Sequence, residues 1–409
     1  MEQPELLPHL FKKEFSKITT VLCKLFGLEH IEIAEDIASE TFLLAYETWP
    51  YKGVPENPTA WLYAVAKNKT KNYVKRNQIF ANQISKHIHQ DAATVTDIEI
   101  DGFEQKITDS QLQMLFAVCH PSIAAESQIA LSLRILCGFG VDEIATAFLT
   151  NKETISKRLH RAKEKLRLEK VKIELPSETE ISKRLETVLT TLYLLFNEGY
   201  YSESQEGTIR EDLCLEAMRL TGLLIENELT NQPAVNALLS LMCFQSSRFA
   251  ARKKENSLIV LYQDQDESLW NYELIAKGAY YLQQAAHGNE LSKYHLEASI
   301  AYWHTIKADT PEKWENILMH FNQLLQIEYS PIAALNRTYA LSKVHGKERA
   351  IAEAEKLTLT DNHFYFALLG ELYTDIDNKK AKQHFQAAYA LAKTLTDKQT
   401  IQKKIDRIN

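Results

Sequence analysis

The sequence predicts an all-α chain: two small helical domains, the second with a helix-turn-helix, then a C-terminal helical-repeat region. Three observations predict it. Glycine and proline are scarce, 12 and 10 of 409 residues, which favours long helices with short joints. Apolar residues, 45% of the chain, recur at steps of three and four along most of its length. Near the end, Leu335 and Tyr339 recur as Leu369 and Tyr373, an echo of 34 residues. At roughly 150 residues per domain, the length suits two or three domains.

The first helix places Leu7, Leu10, Phe11, Phe15, Ile18, Val21 and Leu22 at helical spacing, and Gly27 ends it. The second puts Ile33, Ile37, Thr41 and Leu44 on one face, and Pro50 and Gly53 are expected to stop it. The third starts on an Asn57 cap with Pro58 at its first position. Residues 77–108 lose periodicity and turn polar and acidic, as a linker does. Two amphipathic stretches follow, then "GVDEIATAFLTNKETISKRLHRAKEKL", two short helices joined by "LTN". From Leu185 onward the pattern is helical. The boundaries drawn are 1–80, an acidic linker 81–108, 109–172, a helical extension 173–285, and repeats 286–409. In the second copy of the echo, Gly370, Ala381, Phe385 and Ala388 stand near tetratricopeptide-repeat positions, whereas the first copy has Asn336 in place of the small residue.

Charge is uneven. The chain carries net charge -7, yet residues 151–167 hold seven Lys or Arg against two Glu. Residues 61–89 hold six Lys or Arg and no acid, and residues 91–109 hold six acids and one Lys. Two basic islands flanking an acidic linker are candidate polyanion sites. The five cysteines form no CxxC and sit in apolar runs, as buried thiols of a reducing compartment do. No apolar run approaches the roughly 20 residues of a membrane span, and the N-terminus has no signal-peptide layout. A soluble, cytoplasmic protein is expected.

The second helix of the helix-turn-helix exposes Lys152, Ser156, Lys157, Arg161, Lys163 and Lys165, while Ile155, Leu159, Ala162 and Leu166 take the inner face. Cations and hydroxyls on one exposed face suit phosphate and base-edge contacts in a major groove; the plain alternative is a solvated basic helix. The first island interleaves Trp61, Tyr63 and Tyr73 with Asn68, Asn72, Lys67, Lys69, Lys71, Lys75 and Arg76. That mixture suits single-stranded DNA, where bases stack and phosphates need neutralising; the alternative is a helix with core aromatics. Asp36 and Glu40 lie one turn apart with no third ligand nearby, which leaves a solvated acidic face or a docking surface. No metal, cofactor or catalytic constellation is expected: His287, His295 and His304 are scattered. "NEGYY" and "QDQDESLW" read as joints between helices or as a binding site.

The stretch "AEDIASETFLLAYETWPYKGVPENPTAWLYAVAKNKTKNYVKRN" resembles domain 2 of bacterial extracytoplasmic-function sigma factors of the sigma-70 family, and "GVDEIATAFLTNKETISKRLHRAKEKL" resembles their domain 4. "YLLFNEGYYSES", "REDLCLEAMRLTGLL" and "LYQDQDESLWN" are similar to the subgroup with a long tetratricopeptide-like extension. The resemblance implies partners and roles: core RNA polymerase, through its β′ clamp helices and β subunit, and promoter DNA. The helix with Asp36, Glu40, Thr41 and Phe42 then docks on the clamp helices. The segment with Trp61, Asn68, Lys71, Asn72, Lys75 and Arg76 engages the downstream promoter element. The helix with Lys152, Thr154, Ser156, Lys157, Arg158 and Arg161 reads the upstream element. Leu149 stands in the turn where many members have Gly.

The expected function is therefore a non-enzymatic sigma factor whose extension modulates its activity. A stand-alone helix-turn-helix regulator with a sensor domain is the first rival, and an enzyme built on the helical array is the second.

Overall fold

The computed structural model describes residues 3–76, 103–148, 150–200, 210–252, 260 and 262–408. They are helical, with no strand among the described residues. They divide into two compact units: residues 1–195 with 226–230, and residues 196–225 with 231–409.

The first unit opens with α1 (Gln3–Phe26), which Gly27 ends at φ 87°, a left-handed conformation that favours glycine. Helix α2 (Ile31–Lys52) runs through Pro50 and stops at Gly53, φ 81°. Pro50 does not stop the helix as expected; it stands in the final turn, where little helix remains to disrupt. Helix α3 (Pro58–Arg76) starts as predicted, with Asn57 Oδ1 accepting from the Ala60 amide at 3.0 Å. Leu10, Phe15, Ile18, Leu22, Ile37, Phe42 and Leu62 form the core beneath these helices.

Helix α4 (Phe103–Val118) begins inside the segment expected to be linker; linker residues 77–102 lie outside the described residues. Helix α5 (Ala125–Leu131) passes into a π-helical turn, Ser132–Leu136, closed by Gly138 at φ 74°. Helices α6 (Val141–Ala147) and α7 (Lys152–Leu168) pack together across a short turn, where the helix-turn-helix is expected. Leu149 lies outside the described residues; beside it, the Thr150 amide donates to Ala145 O at 2.9 Å. Helix α1 packs on α2 and also on α4 and the π turn, so the two small domains share one compact unit.

Helix α8 (Glu178–Tyr200) contributes its first five turns to this unit. Ile181, Leu185, Val188 and Leu192 are buried. Arg184 donates to Phe116 O at 2.7 Å, and Thr191 to Gln128 Oε1 at 2.8 Å.

The second unit is built on α9 (Glu211–Ile225) and α10 (Pro233–Ser246), the latter buried along most of its length. A short helix α11 (Phe249–Arg252) precedes α12 (Tyr272–Ala285) and α13 (Lys293–Trp303). Both α12 and α13 pack on α10. Gly278 permits this approach: a Cβ there would lie 2.6 Å from the Phe244 ring.

The rest is a run of short helices: α14 (Pro311–Ile327), α15 (Pro331–His345), α16 (Lys347–Leu357), α17 (His363–Tyr373), α18 (Asn378–Leu391) and α19 (Leu395–Arg407). Each packs on the next, and α15 also meets α17, as in stacked helix pairs. Gly370 lies under the Phe385 ring, while Asn336, its counterpart in the echo, is exposed.

Candidate functional site

Helix α2 carries two different faces. Asp36, Glu40 and Glu47 are exposed on one, with Leu43, Tyr46 and Tyr51 at 55%, 68% and 90% exposure. At 100° per residue these positions fall within one continuous stripe. Thr41 and Phe42 do not join it. Thr41 is fully buried and donates to Ile37 O at 2.7 Å. Phe42 is buried against Phe11 and Phe15, with ring centroids 5.0 and 6.2 Å away. They hold the helix to its core, which corrects their expected place on a docking surface.

Helix α3 also spends its aromatics inward. The Tyr63 hydroxyl donates to Glu14 Oε2 at 3.4 Å, and burial pushes its pKa up. Tyr73 meets Phe26 edge-on at 6.0 Å. Both rings are half-buried against α1, unlike the exposed Asn68, Lys71 and Asn72. Trp61 is half-buried, its edge on Trp49 at 5.4 Å. Asn68, Lys71 and Asn72 are exposed. Lys69 pairs with Glu40 at 2.8 Å, which ties the amide-rich face of α3 to the acidic stripe of α2. The side chains of Lys75 and Arg76 lie outside the described residues.

Helix α7 begins on Asn151, whose Oδ1 accepts from the Thr154 amide at 2.8 Å. Ile155, Leu159, Ala162 and Leu166 are buried as predicted. Thr154, Ser156, Lys157 and Arg161 are exposed. Most of the helix's cations are already paired: Lys152 with Asp142 at 2.9 Å, Lys165 with Glu169 at 3.0 Å, and Arg167 with Glu164 at 3.1 Å. Lys163 is not an exposed cation as expected; its side chain is 16% exposed and reaches Glu35 and Glu32. Arg158 stacks over the Phe148 ring at 5.4 Å, so it braces the turn instead of facing outward. Lys157 and Arg161 have no ion-pair partner among the described residues and are the cations most available to a phosphate.

Of the two polar-aromatic stretches of the extension, the first continues α8 to Tyr200 and the second forms short 3-10 turns before α12. Gly199 lies where a Cβ would come within 2.7 Å of Arg210 O, and Gly199 O accepts from the Arg210 amide at 2.9 Å. The Arg252 guanidinium lies 4.0 Å above the Tyr200 ring. Lys307 Nζ donates to the carbonyls of Tyr262 and Gln265 at 2.9 and 3.0 Å. Lys313, 1% exposed, donates to Tyr262 Oη at 2.8 Å, and burial lowers its pKa to about 8. His295 bridges Ser292 Oγ and Ala285 O. Among the described residues no three His, Cys, Asp or Glu side chains gather as a metal site, and no helix is long and apolar enough to cross a membrane.

Sequence reasoning places Glu35 only among the acids near Asp36 and Glu40 and misses its ion pairs. It lies deepest among the acids on this part of α2, yet nothing in its neighbours announces partners 99 and 128 residues away. It also missed that α8 completes the helix-turn-helix half, because a domain edge is invisible when periodicity simply continues.

Residues 10–79 match the family described as Sigma-70 region 2. Residues 184–286 match a family of unknown function, DUF6596. Over 388 residues the chain is 31% identical to an uncharacterized protein of Rhizobium meliloti (strain 1021), covering 93% of this chain and 90% of that one. No solved structure matches.

Proposed function

The chain belongs to the sigma-70 family, whose members bind core RNA polymerase and promoter DNA to initiate transcription, and on that premise we propose residue-level roles for a sigma factor of the extracytoplasmic-function type. The acidic-aromatic stripe of α2, with Asp36 and Glu40 at its centre, docks on the β′ clamp helices, and the helix-turn-helix half engages the β subunit. Asn68, Lys71 and Asn72, with Trp61, Lys75 and Arg76, meet the downstream element. Thr154, Ser156, Lys157 and Arg161 of α7 meet the upstream element as duplex, with Lys152 able to join once released from Asp142. The C-terminal tetratricopeptide-like array modulates the activity by supporting the sigma domains. The protein acts in the cytoplasm and does no chemistry of its own.

The observation that carries this reading is the α2 stripe. Three large apolar side chains stay exposed between carboxylates, inside the residues that match region 2. Exposed aromatics rimmed by charge mark a protein-binding surface. A pull-down of core polymerase tests it. Asp36→Lys with Glu40→Lys is expected to abolish capture while circular dichroism shows the helices intact. Normal capture by the double variant removes the docking role and leaves a stand-alone DNA-binding regulator.

A further inference from the structure

Arg248 is buried without a counter-charge. It follows α10, is 9% exposed, and holds its guanidinium 5.6 Å from the centroid of the Tyr262 ring. Among the described residues it has no ion pair, and its Nε has no hydrogen-bond partner. A second buried cation stands beside the same ring. Lys313 Nζ lies 4.9 Å from the Tyr262 centroid and donates to neutral oxygens, Tyr262 Oη and Ile306 O. Lys307 Nζ lies 5.2 Å from that centroid. Two neutral rings add donors. Trp270, 3% exposed, has its ring 6.3 Å from Tyr262 and its Nε1 unpartnered among the described residues. The His304 ring lies 5.1 Å from Tyr262, with Nδ1 unpartnered. The carboxylates nearby are exposed and engaged: Asp309 takes Trp314 Nε1 and Lys343, and Asp266 accepts from Ser268.

We propose that Arg248, Lys313, Trp270 and His304 bind the phosphate group of a small molecule beside the Tyr262 ring, a ligand site carried by the second unit alone. A buried charge with no partner destabilises the fold. A bound dianion pairs with Arg248 and Lys313 and relieves the repulsion by which Arg248 helps lower the Lys313 pKa. Arginine presents two parallel donors to an oxyanion, and lysine adds a point charge. The Trp270 N–H donates as it stands, and neutral His304 donates in the tautomer protonated at Nδ1. A phosphate, with charge near −2 at neutral pH, suits two cations better than a single carboxylate does. The site also gives a use to the stretch from Tyr262 to Trp270, which the polymerase and DNA roles leave unused.

Calorimetric titration of the full chain with inorganic phosphate, in chloride buffer of constant ionic strength, tests the site. Saturable one-site binding is expected, competed by sulfate and not by acetate. Arg248→Met should weaken it at least about tenfold. The ligand-free variant should melt no lower than the unmodified chain, because it loses a buried charge that has no partner. A merely structural arginine gives the opposite, a lower melting temperature with unchanged affinity. Arg248→Lys should retain measurable binding. Trp270→Phe removes one donor and keeps a ring, so it should weaken binding several-fold, and it decides the matter if Arg248→Met does not fold. Arg349→Gln, at an exposed position of α16, should leave the affinity unchanged. Glycerol phosphate that binds tighter than inorganic phosphate identifies a phosphate ester as the ligand, the reverse identifies the free ion, and either result upholds the site. No saturable binding of either probe, equal binding of acetate, or full affinity in both Arg248→Met and Trp270→Phe overturns it.

Discussion

The Arg158 guanidinium lies 5.4 Å from the centroid of the Phe148 ring, across the turn of the helix-turn-helix. This cation therefore braces the two helices, while Lys157 and Arg161 face outward. Arg158→Ala should lower stability by about 0.5–1 kcal/mol, the usual worth of such a contact. Hydrogen exchange in α6 should accelerate. Lys157→Ala and Arg161→Ala should leave exchange unchanged and each flatten the salt dependence of duplex binding by about one phosphate contact. Equal salt slopes in all three variants and the unmodified chain would remove α7 as the DNA-binding helix.

Thr191 is fully buried and donates to Gln128 Oε1 at 2.8 Å. Thr191→Val keeps the shape and strands that oxygen in the core. The cost should be about 1–3 kcal/mol, seen as faster amide exchange in α5. A chain cut near Lys172 also loses the cover that Leu185, Val188 and Leu192 provide, so it should unfold more easily than a chain retaining residues through 200. Equal melting of the two truncations would show that α8 is dispensable for this unit.

Two helical glycines should respond oppositely to alanine. At Gly370 a Cβ would stand 2.8 Å from the Phe385 ring, and Phe385 is 1% exposed with no room to yield. Gly370→Ala should destabilise the array by about 1–3 kcal/mol, as overpacking does. At Gly222 of α9 nothing lies within 4 Å. Gly222→Ala should stabilise by roughly 0.5–1 kcal/mol. Thermal unfolding of both variants reads the difference in sign.

His304 packs against the rings of Tyr262 and Trp314, with Nδ1 unpartnered among the described residues. Burial first, then Arg248 and Lys313, lowers its pKa to about 3. Its folded pKa lies below its unfolded value, so the unfolded chain takes up the proton first. The stability contribution is intact above about pH 6.5 and is lost as pH falls toward 3, at up to about 1.4 kcal/mol per pH unit. Replacing the ring by His304→Leu should flatten the pH dependence of unfolding between pH 6.5 and 4 relative to the unmodified chain. Parallel curves would contradict a neutral buried His304.

Element boundaries were legible wherever one residue type has one conformational use. Gly27 and Gly53 end their helices at positive φ, and Asn57 caps α3; the Asn151 cap of α7, by contrast, was read only as part of a turn. The inner face of α7 was legible because its outer face is polar up to Leu168 at its last position. Helix α2 was harder, since both its faces carry apolar residues. Leu43, Tyr46 and Tyr51 stay outside while Thr41 and Phe42 go in, and periodicity alone does not rank two such faces. The rings of Tyr63 and Tyr73 turn inward because α1 offers Glu14 and Phe26, partners 49 and 47 positions away that no local pattern reveals. The Glu35 cluster depends on contacts still longer in sequence, and charge runs show only that such pairs are available.

Transcription in vitro tests the central claim most directly. Core polymerase, the full chain and a pool of genomic fragments are incubated with nucleotides, and transcript starts are mapped. The account predicts a small set of discrete starts absent with core alone, and their loss with Asp36→Lys and Glu40→Lys combined. Starts indistinguishable from those of core alone, or discrete starts that persist with the double variant, would contradict it.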